Sequence, residues 1–249
     1  VNLRWEILTG YGPLFLQGLW MTIRLTAIAI VAGMALGLLL GLVSSSRAAP
    51  AAHGPARWLL VPAQGLTWVY VSFFRGTPLF VQILLVHFAL MPALIHPDGG
   101  LLLSGEAART FRQEHGAFFS GALALTLNAG AYISEIFRAG IESIHRGQTQ
   151  AAYSLGLTHW QSMRYVVLPQ AFRRMVPAFV NEAVTLTKDS SLVSAIGLAE
   201  LALAARTVAG AYSRYWEPYL AISLIYLLLT GALALLAKRL EAPAHQRGH

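Results

Sequence analysis

Apolar residues in this chain lie in several long runs, each of the length that crosses a hydrocarbon core about 30 Å thick. Four runs, at roughly residues 16–44, 117–138, 176–198 and 218–237, reach the ~20 residues a membrane helix requires. Between Trp58 and Ile95 two apolar blocks flank Arg75-Gly76-Thr77-Pro78, and the first block contains Pro62, Gln64 and Gly65. This stretch reads as an interfacial helix that leads, after a Gly/Pro break, into one span of about 79–95. The expectation is an all-α integral membrane protein of about five transmembrane helices, one domain over residues 1–249 with its core at about 16–240.

Composition supports the spans and excludes a water-soluble globule. The chain is 56% hydrophobic and 12% charged, against about 25% charged residues in a soluble domain. It has no cysteine, which removes disulfides, thiolate zinc sites, iron–sulfur clusters and a cysteine nucleophile. The eight histidines show no metal-ligand spacing. The net charge of +7 is unevenly placed: Arg47, Arg57, Arg138, Arg146, Arg164, Arg173, Arg174, Lys238, Arg239 and Arg247 share one side of the five-span topology with Glu142 and Glu241, while the loops of the other side are nearly balanced, with Arg4, Arg109, Arg112, Arg206 and Arg214 against Glu6, Asp98, Glu106, Glu114, Glu200 and Glu217. Lysine and arginine accumulate in short cytoplasmic loops, so the N-terminus is expected outside and the C-terminus in the cytoplasm. A six-span reading would weaken this bias without removing it. The basic residues form no aromatic-interleaved stripe, so nucleic acid is not an expected partner; membrane lipid is. The apolar core of the first run, about 25–43, is longer and later than that of a cleaved leader.

Three segments carry candidate chemistry. Gly33, Gly37 and Gly41 recur every fourth residue and predict a packing seam. The segment from Gly147 to Ala171 predicts a helix over about 148–155, a left-handed turn at Gly156, and a second helix capped by Thr158, with Pro169 in the first turn of a following helix or at a break. Within the spans, Asn128, Tyr132 and Glu135 share one helix face, and Thr185, Asp189 and Leu192 repeat the spacing beside Lys188. A charge at mid-membrane costs about 2.5–3.5 kcal/mol on insertion scales, so such groups face a cavity or a partner. Glu135 and Asp189 are therefore read as a substrate cavity's acidic pair, and the plainer alternative pairs Glu135 with Arg138 or Lys188, and Asp189 with Lys188. The segment His96–His115 is read as an external loop, and Arg75 as a helix end that could serve a hinge or gate.

Ala151-Ala152, Gly156 and Leu168-Pro169 resemble the E-A-A loop of permease subunits of bacterial ABC importers. The resemblance narrows to the polar amino-acid (histidine/glutamine/arginine) branch through Phe74-Arg75-Gly76-Thr77-Pro78-Leu79 with Gln82, the run Asn128–Ile141, and Lys188-Asp189-Ser190-Ser191-Leu192-Val193-Ser194 with Ile196-Gly197. It implies the type I importer fold, one permease domain with a cytoplasmic coupling loop at about 139–175, and docking of Gln150, Ala151, Ala152, Gly156 and Leu157 on a separate ATPase subunit. Gln150 stands where that family usually has glutamate. The resemblance further implies a second permease subunit, an extracytoplasmic solute-binding protein and a pocket in the region of the intramembrane polar groups; their spacing makes Asn128, Tyr132, Glu135, Thr185, Lys188 and Asp189 the candidate substrate contacts, and the Gly/Pro break makes Arg75, Gly76 and Pro78 a candidate gate or hinge. No cofactor is expected on this chain; ATP and Mg belong to the ATPase, because the chain has no G-x-x-x-x-G-K-[ST] phosphate loop. Import of polar, preferably basic, amino acids across the inner membrane is the expected function. The rivals are an ion-coupled secondary transporter using Glu135 and Asp189 as proton sites, and an integral membrane enzyme, for which no nucleophile–base or metal constellation is present.

Overall fold

The computed structural model describes residues 3–45 and 57–245. Arg47 and Arg247, two of the residues behind the orientation reading, lie outside them. The described chain is helical apart from one isolated bridge between Ile95 and Leu103. Its elements are α1 (Glu6–Thr9), α2 (Gly12–Ser45), α3 (Arg57–Gly76), α4 (Leu79–Leu85), α5 (Met91–Leu94), α6 (Gly105–Glu142), α7 (Arg146–Ser154), α8 (His159–Ser162), α9 (Leu168–Asp189), α10 (Leu201–Tyr212) and α11 (Trp216–His245). Three helices, α2, α6 and α11, are long and apolar enough to cross a membrane, and the number reaches five if α3 with the following helix, and α9 with α10, each count as one broken span.

Two short π-helical turns share one cause. Val86–Leu90 precedes Pro92 and Met163–Val167 precedes Pro169. A proline inside a helix lacks the N–H and crowds the carbonyl four residues back, and a widened turn relieves both conflicts. Pro169 therefore sits in the first turn of α9, as expected, without breaking the helical path. The helical path runs from His159 through α9 and a 3-10 turn, Ser190–Ile196, to Gly197, whose φ of +86° ends it.

The chain divides into two compact units. The first comprises residues 1–31, 77–126 and 183–233. Its apolar center is Leu201, Ala205 and Ile222, with Phe15, Leu19 and Leu229 packed against them. Helix α10 was expected as part of an external loop; at twelve residues it is shorter than a span, and an apolar segment of that length is equally a buried helix. Glu200, fully buried, caps it: one carboxylate oxygen accepts from Leu203 N at 2.9 Å and the other from the Tyr226 hydroxyl at 2.8 Å. Losing the Tyr226 hydroxyl leaves a buried carboxylate oxygen short of a donor, at a cost of about 1–3 kcal/mol. Tyr226→Phe is expected to lower the thermal midpoint of the solubilised protein by several degrees, and an unchanged midpoint would contradict this role. The expected external loop is also shorter than its sequence limits, since α6 begins at Gly105.

The second unit comprises residues 32–76, 127–182 and 234–249. Here the predicted glycine seam is a close approach of α2 to α6. Gly33, Gly37 and Gly41 are all buried. A Cβ on Gly37 would stand 2.5 Å from Ile133 Cγ2 and 2.9 Å from the Gly130 carbonyl, and one on Gly41 would stand 2.6 Å from Phe137 Cδ1. Tyr70, from α3, donates its hydroxyl to the Leu127 carbonyl. Helix α3 continues through Pro62 and stops at Gly76, where the Gly/Pro break was expected.

Candidate functional site

Two features of the second unit carry candidate function: a polar cavity beside the C-terminal end of α3, and the α7–α8 elbow.

The cavity measures about 470 Å³. Gln64, Thr67, Trp68, Val71, Ser72 and Arg75 line it from α3, Ser44 and Ser45 from the end of α2, and Glu135, Arg138, Ile141 and Glu142 from α6. The α3 residues recur at three- and four-residue intervals, which places them on one helix face. That polar stripe is present in the sequence, within a block read above only for its helix-breaking residues.

Two arginines and two glutamates in the wall form one network. Arg138 grips Glu135 with Nε at 3.1 Å and Nη2 at 3.0 Å, a two-point pairing that fixes both side chains. Its Nη1 reaches Glu142 at 2.7 Å. Arg75 Nη1 stands 3.3 Å from Glu135 Oε2, and its guanidinium lies over the Tyr132 ring at 5.5 Å from the centroid. The wall is thus charge-balanced, and Glu135 is shared between a tightly held arginine and a more loosely held one.

The predicted face of α6 is real and looks toward the end of α3. Asn128 is buried and donates to the Phe74 carbonyl at 3.4 Å, one of the last-turn carbonyls that a helix cannot pair internally. Tyr132 lies under Arg75 and Glu135 binds it. Of the six residues expected to contact substrate, Glu135 alone lines this cavity. Thr185, Lys188 and Asp189 belong to the first unit, where Thr185 and Lys188 are exposed and Asp189 is half-buried. No ion pair among the described residues joins Asp189 or Glu135 to Lys188, whereas the plain pairing of Glu135 with Arg138 is present. Pro78 stands at the N-cap of α4 with extended backbone, so residues 76–78 are where the chain leaves one helix and enters the next.

The elbow is built from local signals. Helix α7 ends in a Schellman arrangement: Leu157 N donates to the Ala152 carbonyl at 3.1 Å and Gly156 N to the Tyr153 carbonyl at 2.9 Å, with Gly156 at φ +79°. Thr158 then caps α8 in a reciprocal box with Gln161, whose backbone N–H donates to Thr158 Oγ1 at 3.3 Å while its side-chain oxygen accepts from Thr158 N at 2.8 Å. The Tyr153 hydroxyl and His159 Nδ1, 2.8 Å apart, tie the two helices together. Among the residues expected to meet a partner, Gln150, Ala151 and Gly156 are exposed, Leu157 is half-buried and Ala152 is buried. The large apolar side chains turned outward are Leu155, 82% exposed, and Trp160, 65% exposed; the sequence reading singled out neither. A lone exposed apolar residue is ordinary; here two stand on one elbow, with Arg146 and Arg164 in the same segment.

Comparison with known proteins gives consistent results. Residues 55–243 match the family model described as binding-protein-dependent transport system inner membrane component. The arginine transport system permease protein ArtQ of Bacillus subtilis (strain 168) is 35% identical over 232 residues, covering 92% of this chain and 91% of that protein. The glutamine transport system permease protein GlnP of Escherichia coli (strain K12) is 31% identical over 241 residues, covering 95% of each. Among solved structures, a crystal structure of an amino acid ABC transporter with histidines superposes with a TM-score of 0.79 at 34% identity, covering 98% of this chain and all of that one. These matches overturn the ion-coupled alternative, since the relatives are subunits of ABC systems. The chain, helical, membrane-spanning and bearing the two-helix elbow, belongs to the family of binding-protein-dependent transport system inner membrane components, the permeases of ABC importers with the type I fold.

Proposed function

We propose that this chain is the transmembrane subunit of an ATP-driven importer of polar amino acids, with basic amino acids preferred. The observation that carries the reading is the elbow: two short helices fixed by a Schellman turn and a capping box, presenting Leu155 and Trp160 to solvent. Rigid helix pairs with outward apolar residues are suited to transmit force from a docked protein, and relatives named for arginine and glutamine transport support the substrate class. In this reading, Gln150, Ala151, Gly156 and Leu157 join Leu155 and Trp160 against a separate ATPase subunit, which holds ATP and Mg. Ala152 packs the elbow onto its own chain. A second permease subunit, identical or similar, completes the path, and an extracytoplasmic solute-binding protein delivers the amino acid. The N-terminus faces outside and the C-terminus the cytoplasm, in accord with the basic loops.

Closure of the ATPases on ATP draws the elbows together and turns the path outward; hydrolysis and separation return it inward. The single permease domain forms the path; its candidate polar contacts are Asn128, Tyr132 and Glu135 in the second unit and Thr185, Lys188 and Asp189 in the first, and the chain segment carrying Arg75, Gly76 and Pro78 is the candidate gate. Glu135 meets a cationic substrate by exchange: the substrate's ammonium or guanidinium replaces Arg75, the looser partner at 3.3 Å, while Arg138 stays in its two-point grip. Exchange of one cation for another keeps the charge balance around Glu135 constant as the substrate enters.

The test is arginine-stimulated ATP hydrolysis by the assembled complex. Glu135→Gln and Asp189→Asn should each cut stimulation about tenfold, the loss of one charge-assisted contact of ~1.4 kcal/mol, with assembly unchanged. Arg75→Gln should lower the arginine concentration needed for half-maximal stimulation. Stimulation unchanged in the first two variants would overturn the substrate site.

A further inference from the structure

A second cavity, in the first unit, has no part in the mechanism above. It measures about 320 Å³ and is lined by His87, Met91, Pro97, Arg112, Gln113 and their neighbours Arg109 and Gly116. Among the described residues, no carboxylate lines it. Arg109 gives its Nη1 to Glu106 at 3.3 Å on the surface, whereas no ion pair among the described residues uses Arg112. Glu114 is close in sequence but pairs with His115 at 3.7 Å and lies outside the lining.

The proton on His87 can be placed by counting. His87 Nδ1 is 2.9 Å from Ser120 Oγ, and Ser120 Oγ donates to the Gly116 carbonyl at 2.7 Å. A hydroxyl has one hydrogen, and Ser120 has used it, so Nδ1 carries the hydrogen and donates to Ser120. In neutral His87 this leaves Nε2 as an acceptor. The cavity thus combines two kinds of group. Arg112 and Gln113 donate, and suit a carboxylate. His87 Nε2 accepts, and suits an ammonium. Met91 and Pro97 add apolar wall.

The geometry points to a binding site for the α-amino and α-carboxylate groups of a free amino acid, with Arg112 and Gln113 on the carboxylate and His87 Nε2 on the ammonium. The site reads the head group that all amino acids share, not the side chain. This rests on the amino-acid importer reading, whose orientation puts this end of α6 outside, so the site receives the amino acid before it enters the path.

The absence of cysteine permits a clean test. Pro97→Cys places a single thiol in the cavity wall of the assembled transporter in proteoliposomes, and its reaction with the membrane-impermeant anionic reagent sulfonatoethyl methanethiosulfonate is timed. Millimolar L-arginine and L-glutamine should each slow labelling, by about tenfold for an occupied charge-assisted site, and to a similar extent. Their α-amides and inorganic phosphate should leave it nearly unchanged. Adding Arg112→Gln should abolish the protection without altering labelling by an uncharged maleimide, which reports an intact fold. Labelling indifferent to amino acids, or slowed equally by the α-amides or by phosphate, overturns the site; protection by phosphate would identify a bare anion or lipid-phosphate pocket. ATP-driven uptake by the same vesicles separates the two readings: uptake without protection removes the site alone, and uptake lost in the unsubstituted chain removes the importer reading.

Discussion

Replacing Gly156 with valine is expected to reduce ATP-driven uptake by the assembled transporter about 5- to 30-fold while the chain still inserts and accumulates. The backbone at Gly156 has φ +79°, a left-handed conformation that costs an L-residue about 1–2 kcal/mol and a β-branched one more. The two turn-closing hydrogen bonds, from Leu157 N and Gly156 N, depend on that conformation. Strain of 1–2 kcal/mol lowers the population of the correct elbow by a factor of about 5–30. It does not threaten the spans, because nothing stands within 4 Å of a Cβ at this position. Asparagine enters the left-handed region at little cost, so Gly156→Asn should keep most of the uptake. Equal loss in both variants would show that the site needs the missing side chain, not the conformation. The comparison is uptake per transporter, with each variant's yield measured in the same membranes.

The largest loss of stability is expected from Gly37→Leu. A Cβ alone would meet Ile133 Cγ2 at 2.5 Å and the Gly130 carbonyl oxygen at 2.9 Å. A side chain can rotate away, but a helix carbonyl cannot, so α2 and α6 must separate within the second unit. Overpacking of this kind costs about 1–3 kcal/mol for a methylene or two, and leucine adds four carbons. At about 2–4 °C per kcal/mol for a chain of this size, the thermal midpoint of the solubilised protein should fall by at least ~6 °C. Truncating Ile133 to alanine should restore only part of the loss, since the carbonyl clash remains. Gly65→Ala serves as the control: its Cβ meets nothing within 4 Å, and alanine is the better helix former. A Gly37→Leu midpoint equal to the Gly65→Ala midpoint would contradict the seam.

What the sequence revealed and what it hid follow from the range of the forces involved. Gly156, Thr158 and the break at residues 76–78 were legible because turn and cap chemistry is decided within a few residues. The long apolar runs of α2, α6 and α11 were legible because the bilayer imposes a length. Helix α10 was hidden because its twelve residues fall short of that length, and Glu200 was counted with loop carboxylates because only Tyr226, 26 positions away, shows that it is buried. The face formed by Asn128, Tyr132 and Glu135 was readable from spacing, but its target, the last turn of α3, was not, since nothing local to α6 names a partner in another helix. The α3 stripe from Gln64 to Arg75 was readable in principle. Its periodicity was masked by Pro62 and Gly65, which suggest a broken helix where the chain makes a continuous one. Likewise, alternation of Ala152 inward with Leu155 and Trp160 outward becomes visible only once α7 is packed.

The central claim, that this chain converts ATP hydrolysis by a partner into amino-acid import, is tested most directly by uptake of radiolabelled L-arginine and L-glutamine into proteoliposomes holding the permease with its ATPase and solute-binding protein. Accumulation is expected to require ATP, to persist when the proton and sodium gradients are collapsed, and to disappear when the ATPase subunit is omitted. Accumulation driven by an ion gradient in the absence of ATP would contradict that claim.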